Sequence, residues 1–125
     1  MAKEHWKGAP DEHDFPAAAD YLSLLFPEQA VNEMITSLRA APLLYRKAKD
    51  LLRASRLELL PKDNVHVAKD LDKVKAGQQL SPVLLIRGQS DQDTPLTVAD
   101  GYHRICASYH LDEDADIPCR MVARP

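Results

Sequence analysis

The spacing of apolar residues changes near Arg56, so the two halves of the chain are expected to fold differently. Before this residue, apolar side chains recur at intervals of three and four, which is typical of amphipathic helices. After it, short apolar runs alternate with turn-forming residues, which indicates strands joined to helices. We therefore predict an α+β protein in which an N-terminal tail and three-helix segment, residues 1–56, packs on a small mixed sheet with helices, residues 57–125. A length of 125 residues suits one compact domain.

The first half contains three helix patterns, each preceded by a residue suited to a helix start. Asp14 can cap a helix over residues 15–26. Pro27 and Pro42 suit the first turns of the second and third helices. Trp6 is expected to dock onto the body of the protein, because an exposed indole leaves a large apolar area in water. The third helix should carry a basic stripe on its outer face, made of Arg46, Lys49, Arg53 and Arg56.

The first part of the second half predicts one strand and one helix. Residues 57–60 could form a short strand. A helix over residues 64–76 should stop at Gly77, which suits the left-handed position beyond a helix end. His66 and Asp70 lie at helical spacing on this helix, as expected for a solvated face.

The rest of the second half predicts two neighbouring strands, a helix and a last strand. The run SPVLLIRG is almost continuously apolar and of strand length, and LTVAD is expected to lie beside it. A helix over residues 103–110 follows. The last strand is IPCRMV, whose apolar residues alternate onto one face.

Charge is distributed unevenly along the chain, although the net charge is only −3. Residues 1–38 carry two Lys against seven Asp or Glu, which is −5, and residues 39–62 carry seven Lys or Arg against two acids, which is +5. The remaining residues carry seven basic and ten acidic side chains, which is −3. The basic band lacks interleaved aromatic residues and the pI is 5.9, so nucleic acid is not expected as a partner.

Other features exclude several classes of protein. No apolar run approaches the roughly 20 residues that a membrane span needs, so we expect no membrane partner and a cytoplasmic location. Cys106 and Cys119 lack metal-ligand spacing and lie in apolar segments, which predicts buried, reduced thiols. The five histidines are scattered, so no metal site is predicted. Nothing in the sequence indicates an oligomeric state.

The stretch LTVADGYHRICASYH runs from a strand through one glycine into a helix. The first backbone N–H groups of a helix are unpaired and the helix dipole is positive there, so an anion can bind. Gly101 would let the backbone approach closely, while His103 and Arg104 add donors and Asp100 could orient them or a ligand hydroxyl. The alternative is that Asp100 caps the helix, Gly101 makes the turn and Arg104 is solvated.

The segments VADGYHRICASYHLDEDADIPCRMV and GQQLSPVLLIRG resemble the ParB/sulfiredoxin-like superfamily over residues 57–122. Sulfiredoxins have a catalytic cysteine before the His-Arg pair, where this chain has Tyr102, so sulfinic acid reduction is not expected. ParB proteins bind CTP at this turn and carry a separate DNA-reading domain, which has no counterpart here. The turn is most similar to that of nucleotide-dependent free serine kinases, Asp-Gly-His-His-Arg, which Asp100, Gly101, His103 and Arg104 match.

The resemblance implies a small nucleotide- or phosphate-binding protein. Its ligand would be ATP, ADP or CTP with magnesium, or another small phosphorylated molecule, and no redox cofactor is expected. The binding residues would be Asp100, Gly101, Tyr102, His103 and Arg104. If the protein transfers a phosphoryl group, Asp63 stands near the position of the kinases' catalytic glutamate, although it could instead cap its helix. The competing prediction is a noncatalytic interaction or regulatory module, such as a partition or DNA-related adaptor, that keeps the turn for structure.

Overall fold

Residues 5–125, which this computed structural model describes, contain five α-helices and one four-stranded mixed sheet. The predicted α+β class is confirmed. The elements in chain order are α1 (Asp14–Leu22), α2 (Glu28–Ala40), β1 (Leu44–Lys47), α3 (Ala48–Ser55), α4 (Val65–Lys75), β2 (Val83–Ile86), β3 (Thr97–Asp100), α5 (Tyr102–Leu111) and β4 (Asp116–Val122).

The sheet has the strand order β1-β4-β2-β3. Strand β2 pairs antiparallel with β3, as the two neighbouring apolar runs predict, and parallel with β4. Strand β1 pairs antiparallel with the other side of β4, with Leu44 opposite Cys119. The two strands at the centre of the sheet are therefore β4 and β2.

Helices cover both faces of the sheet, which explains why the β2 segment is apolar at every position. Val83 and Leu85 pack in a core with side chains of α3, α4 and α5, whereas Leu84 and Ile86 pack with α1 and α2. All four side chains are completely buried. Trp6 joins the first of these cores and is 5% exposed, so its predicted docking is confirmed.

The predicted third helix is wrong at its start. It begins at Ala48 rather than Pro42, and the four residues before it form β1. The edge of β4 offers these residues backbone partners, and this pairing overrides the helical spacing of their apolar side chains. The second helix follows Pro27 as predicted.

The first helix is shorter than predicted, and Asp14 does not cap it. The helix ends at Leu22, and His13 occupies the N-cap position without a side-chain cap. Asp14 is instead buried inside the first turn, with 3% of its surface exposed. Its carboxylate accepts a hydrogen bond from the Ser81 hydroxyl, so this side chain is held by the interior rather than by its own helix.

The predicted strand over residues 57–60 is not formed. Two of its carbonyl groups accept hydrogen bonds from side chains of α5 instead of from a neighbouring strand. The Tyr102 hydroxyl donates to the Glu58 carbonyl at 2.6 Å, and His110 Nε2 lies 2.7 Å from the Leu60 carbonyl. This segment is therefore a loop that α5 holds in place.

The helix that follows this loop agrees with its prediction. The Asn64 side chain accepts hydrogen bonds from the backbone N–H groups of His66 and Val67, which caps α4. Gly77 has a φ of 78°, the left-handed conformation expected beyond the helix end. In residues 5–125, no helix combines the length and the apolar character that a membrane crossing requires.

Both cysteines lie in the core beside α3, α4 and α5, as predicted. Cys106 and Cys119 are free and fully buried. Burial raises the pKa of the Cys119 thiol to about 11 and also raises that of Cys106. Neither thiol is therefore poised for nucleophilic chemistry.

Candidate phosphate-binding site

Helix α5 begins at Gly101, whose backbone has a left-handed φ of 115°. A Cβ atom at this position would overlap the Val83 side chain and would lie 2.8 Å from Arg104 Nη2. Both the backbone conformation and the close approach therefore require glycine. No side chain of the described residues caps this end of α5, so the first N–H groups of a ten-residue helix remain available to a ligand.

This helix end opens onto a cavity of about 770 Å³. All five predicted turn residues, from Asp100 to Arg104, line it. The rest of the wall comes from α4, from the loop between α4 and β2, and from the segment before α1. Its charged and titratable side chains are Lys7, Lys69, Lys73, Arg104, Asp11, Asp70, Asp100, His13, His66, His103 and Tyr102.

Arg104 is held by two carboxylates rather than solvated. Its Nη2 atom lies 3.0 Å from Asp100 Oδ2 and 3.7 Å from Asp14 Oδ2, and its side chain is 16% exposed. Asp100 therefore hydrogen-bonds Arg104 and does not cap α5, and Arg104 is not solvated, whereas the role of the pair toward a ligand stays a prediction. Within the described chain, Arg104 Nε is buried with no hydrogen-bond partner.

The carboxyl groups beside Arg104 share this one cation. The pKa of Asp100 is raised mainly by burial, and the neighbouring Asp14 carboxylate raises it further. Arg104 opposes both effects, because its charge and its hydrogen bond favour the ionised carboxylate. The guanidinium therefore stabilises the turn, and part of its donor capacity is already used by the protein.

His66 of α4 and His103 of α5 lie side by side in the wall of the cavity. Their ring centroids are 4.6 Å apart. Burial lowers the pKa of His103, and the nearby His66 lowers it further. His103 is therefore expected to be largely neutral near neutral pH, so it can offer a ligand one donor and one acceptor.

Asp70 is a cavity residue whose position the sequence did not reveal. It lies one helical turn after His66, a spacing that a solvated helix face also explains, but the residue is only 9% exposed. Burial raises the pKa of its carboxyl group, while Arg104 and Lys73 oppose the increase. Within the described residues its carboxylate has no hydrogen-bond partner. Asp70 is therefore a buried acid in the cavity wall whose oxygens are available to a ligand.

Asp63 does not line the cavity. It is exposed in the turn before α4, and Asn64 rather than Asp63 caps that helix. A general base must lie within hydrogen-bond reach of the proton that it removes, directly or through one water. The position of Asp63 therefore gives no support to a catalytic role in this cavity.

No protein-family model, curated protein or solved structure matches this chain. The resemblance to the ParB/sulfiredoxin-like superfamily thus stays a prediction from the sequence, which these comparisons do not support.

One group of possible metal ligands lies at the rim of this cavity, in the part of the chain that the structure describes. The ligand atoms of Asp11, His13 and Asp14 are within 4.8 Å of one another. Two of the three side chains already have partners: Asp11 accepts a hydrogen bond from Lys7 at 2.7 Å, and Asp14 accepts one from Ser81. The group therefore does not by itself assign a metal.

Proposed function

We propose that this protein binds a small phosphorylated molecule in the cavity at the Gly101 turn. The observation that carries the proposal is the uncapped start of α5, which opens onto a cavity whose wall includes four cationic side chains. Backbone N–H groups and the helix dipole at such an end favour an anion. The proposed location is the cytoplasm, since free buried thiols suit a reducing compartment.

Lys69 and Lys73 are the side chains best placed to contact phosphate. They are four residues apart on α4, and both line the cavity. Within the described residues neither has an ion-pair or hydrogen-bond partner, whereas Lys7 pairs with Asp11 and Arg104 pairs with Asp100. In this proposal the two lysines bind the ligand's charge, and Arg104 mainly holds the turn in shape.

A nucleotide is the form of ligand that suits the cavity best. The volume of about 770 Å³ lies in the range of small-molecule sites. Tyr102 and His103 stack with their ring centroids 5.5 Å apart, which adds aromatic surface against which a base could pack. ATP, ADP or CTP would carry magnesium chiefly on its own phosphates.

A second candidate function is supported by the environment of Arg104. A noncatalytic interaction module would keep the turn for structure, and the ion pairs that bury Arg104 between Asp14 and Asp100 are what such a role requires. Phosphoryl transfer is not part of the main proposal, because Asp63 lies outside the cavity wall.

The proposal is tested by unfolding the protein with and without ATP, ADP or CTP, each with magnesium, and with inorganic phosphate. A ligand at 100 times its dissociation constant should stabilise the fold by about 2.7 kcal/mol. The double variant Lys69→Gln/Lys73→Gln should lose this stabilisation. Lys75→Gln is the matched control, because Lys75 is exposed on the same helix and does not line the cavity. No stabilisation by any of these compounds, or equal losses in both variants, would favour the structural role.

A further inference from the structure

The predicted basic stripe does not form one face of a helix. Three of its members, Arg46, Arg53 and Arg56, meet Arg87 around a second cavity of about 540 Å³. The fourth, Lys49, pairs with Asp114 at 2.7 Å and is not in this wall. We call this space the arginine cavity. It lies between β1, α3 and the loop that joins β2 to β3, and it shares no lining residue with the Gly101 cavity.

The arginine cavity has an apolar floor beneath its cationic rim. Leu51 and Leu85 are buried at 3% and 0% exposure, and Leu96 and Met121 are half-buried beside them. The four arginines are exposed. A molecule in this space would therefore meet apolar side chains below and guanidinium groups around its edge.

The positive charge of the rim is only partly neutralised. Arg56 pairs with Asp93, and Asp50 is the one carboxylate in the wall. Arg53 and Arg87 form no ion pair or side-chain hydrogen bond with any of the described residues. Like charges gathered in this way repel each other, and an anion placed among them would relieve the repulsion.

The backbone is strained at the same rim. Arg56 and Asp93 have φ values of 59° and 52°, and they are the non-glycine residues with positive φ in the described chain. The two strained residues are also ion-paired with each other. Arg56 ends α3 and Asp93 ends a short 3-10 helix, and left-handed backbone is common at such ends, so their ion pair fixes the shape of the chain beside this rim.

We propose that the arginine cavity binds a small organic anion that carries at least two negative charges on an apolar body. Guanidinium groups match carboxylate, sulfonate and phosphate oxygens in pairs, and the leucine floor would cover the apolar body. The concave shape and enclosed floor favour a small molecule over a nucleic acid, which would need an extended basic surface. The inference is independent of the function proposed for the Gly101 cavity.

The test is an NMR titration of the isotope-labelled full chain with naphthalene disulfonate. Naphthalene methanol, which is neutral, and inorganic sulfate, which lacks the apolar body, are the ligand controls. We expect saturable shifts at the backbone amides of Arg53, Arg87 and Leu96 with the disulfonate, and binding weaker by about tenfold or more with either control, since charge-assisted hydrogen bonds and apolar contact are both needed.

Two variants separate the arginine cavity from general basicity. Arg53→Gln/Arg87→Gln should weaken disulfonate binding by about tenfold or more, because it removes charge-assisted hydrogen bonds. Lys49→Gln should leave binding unchanged, because Lys49 is a basic residue of the same helix outside this wall. The double variant should melt at or above the wild-type temperature, since it removes two exposed, unpaired like charges. If the double variant fails to fold, Arg53→Gln and Arg87→Gln are each compared with Lys49→Gln instead.

Several results would overturn the inference. If naphthalene methanol bound as tightly as the disulfonate, only the apolar floor would contribute to binding. If sulfate bound as tightly as the disulfonate, the cavity would be a site for simple ions. Shifts confined to the Gly101 turn would place the anion in the other cavity. Binding of a short oligonucleotide without binding of the disulfonate would identify a nucleic-acid surface instead.

Discussion

Removing the Arg104 side chain is expected to destabilise the whole fold, not only to weaken ligand binding. Arg104 is 16% exposed, and its partners Asp14 and Asp100 are 4% and 23% exposed. Removing one partner of a buried ion pair costs about 3–5 kcal/mol, whereas an exposed pair contributes about 0–1 kcal/mol. Since Asp14 also bonds to Ser81 and Asp100 retains some contact with solvent, we expect Arg104→Ala to cost about 3 kcal/mol.

Urea unfolding followed by fluorescence measures this loss directly, because Trp6 is the single tryptophan and is buried. The double variant Arg104→Ala/Asp100→Asn should recover part of the stability, since it removes one of the carboxylates left without a cation. Lys49→Ala, which breaks the exposed pair with Asp114, should change little.

The loss should also depend on pH. The pKa of Asp100 is already raised by burial, and Arg104→Ala removes the cation that holds it down. In the variant the pKa of Asp100 should therefore lie higher than in the wild type. The destabilisation should shrink as the pH falls through the pKa of Asp100 in the folded variant, because a protonated carboxyl group needs no cationic partner. A loss below about 1 kcal/mol that does not vary with pH would refute this reasoning and place Arg104 among solvated ion pairs.

Three further outcomes are expected. Gly101→Ala should cost of order 2–6 kcal/mol in urea unfolding, from left-handed strain and overlap with Val83, and a loss near zero would contradict the close approach described. Burial raises the pKa of Asp70 above its ordinary 3.8, so the contribution of this group to the free energy of unfolding falls as the pH rises from 3.8 to the pKa of the folded state. Asp70→Asn should therefore be more stable than the wild type at neutral pH and nearly unchanged in acid, and a difference independent of pH would count against this. With a pKa of about 11, the Cys119 thiol should react slowly with an aromatic disulfide reagent until urea unfolds the chain, and rapid reaction of the folded protein would be the contrary result.

The elements that could be predicted are those whose pattern and partners lie close together in sequence. The β2 and β3 runs are neighbours along the chain, and α4 carries its own cap and stop signals at Asn64 and Gly77. Strand β1 was missed because its residues are extended only when β4 supplies a partner from the far end of the described chain. The spacing of apolar residues within this segment does not indicate that pairing.

The candidate site divides in the same way. The Gly101 turn could be found because a strand, a glycine and a helix follow one another directly. The role of Arg104 could not, since Asp14 and Ser81 come from segments distant in sequence. Asp70 had a visible spacing from His66, but burial decides what that spacing means, and burial is a property of the assembled cavity.

The position of β4 has a consequence for how the chain folds during synthesis. Strand β4 lies between β1 and β2, yet it is translated after both of them. A nascent chain that has reached only α5 can form the β2–β3 pair, but it has nothing to join that pair to β1. Two strand edges then remain open to other chains until β4 is inserted. We therefore expect the sheet to close late, by contacts of high sequence separation, and partly made chains to associate more readily than the finished protein until it does.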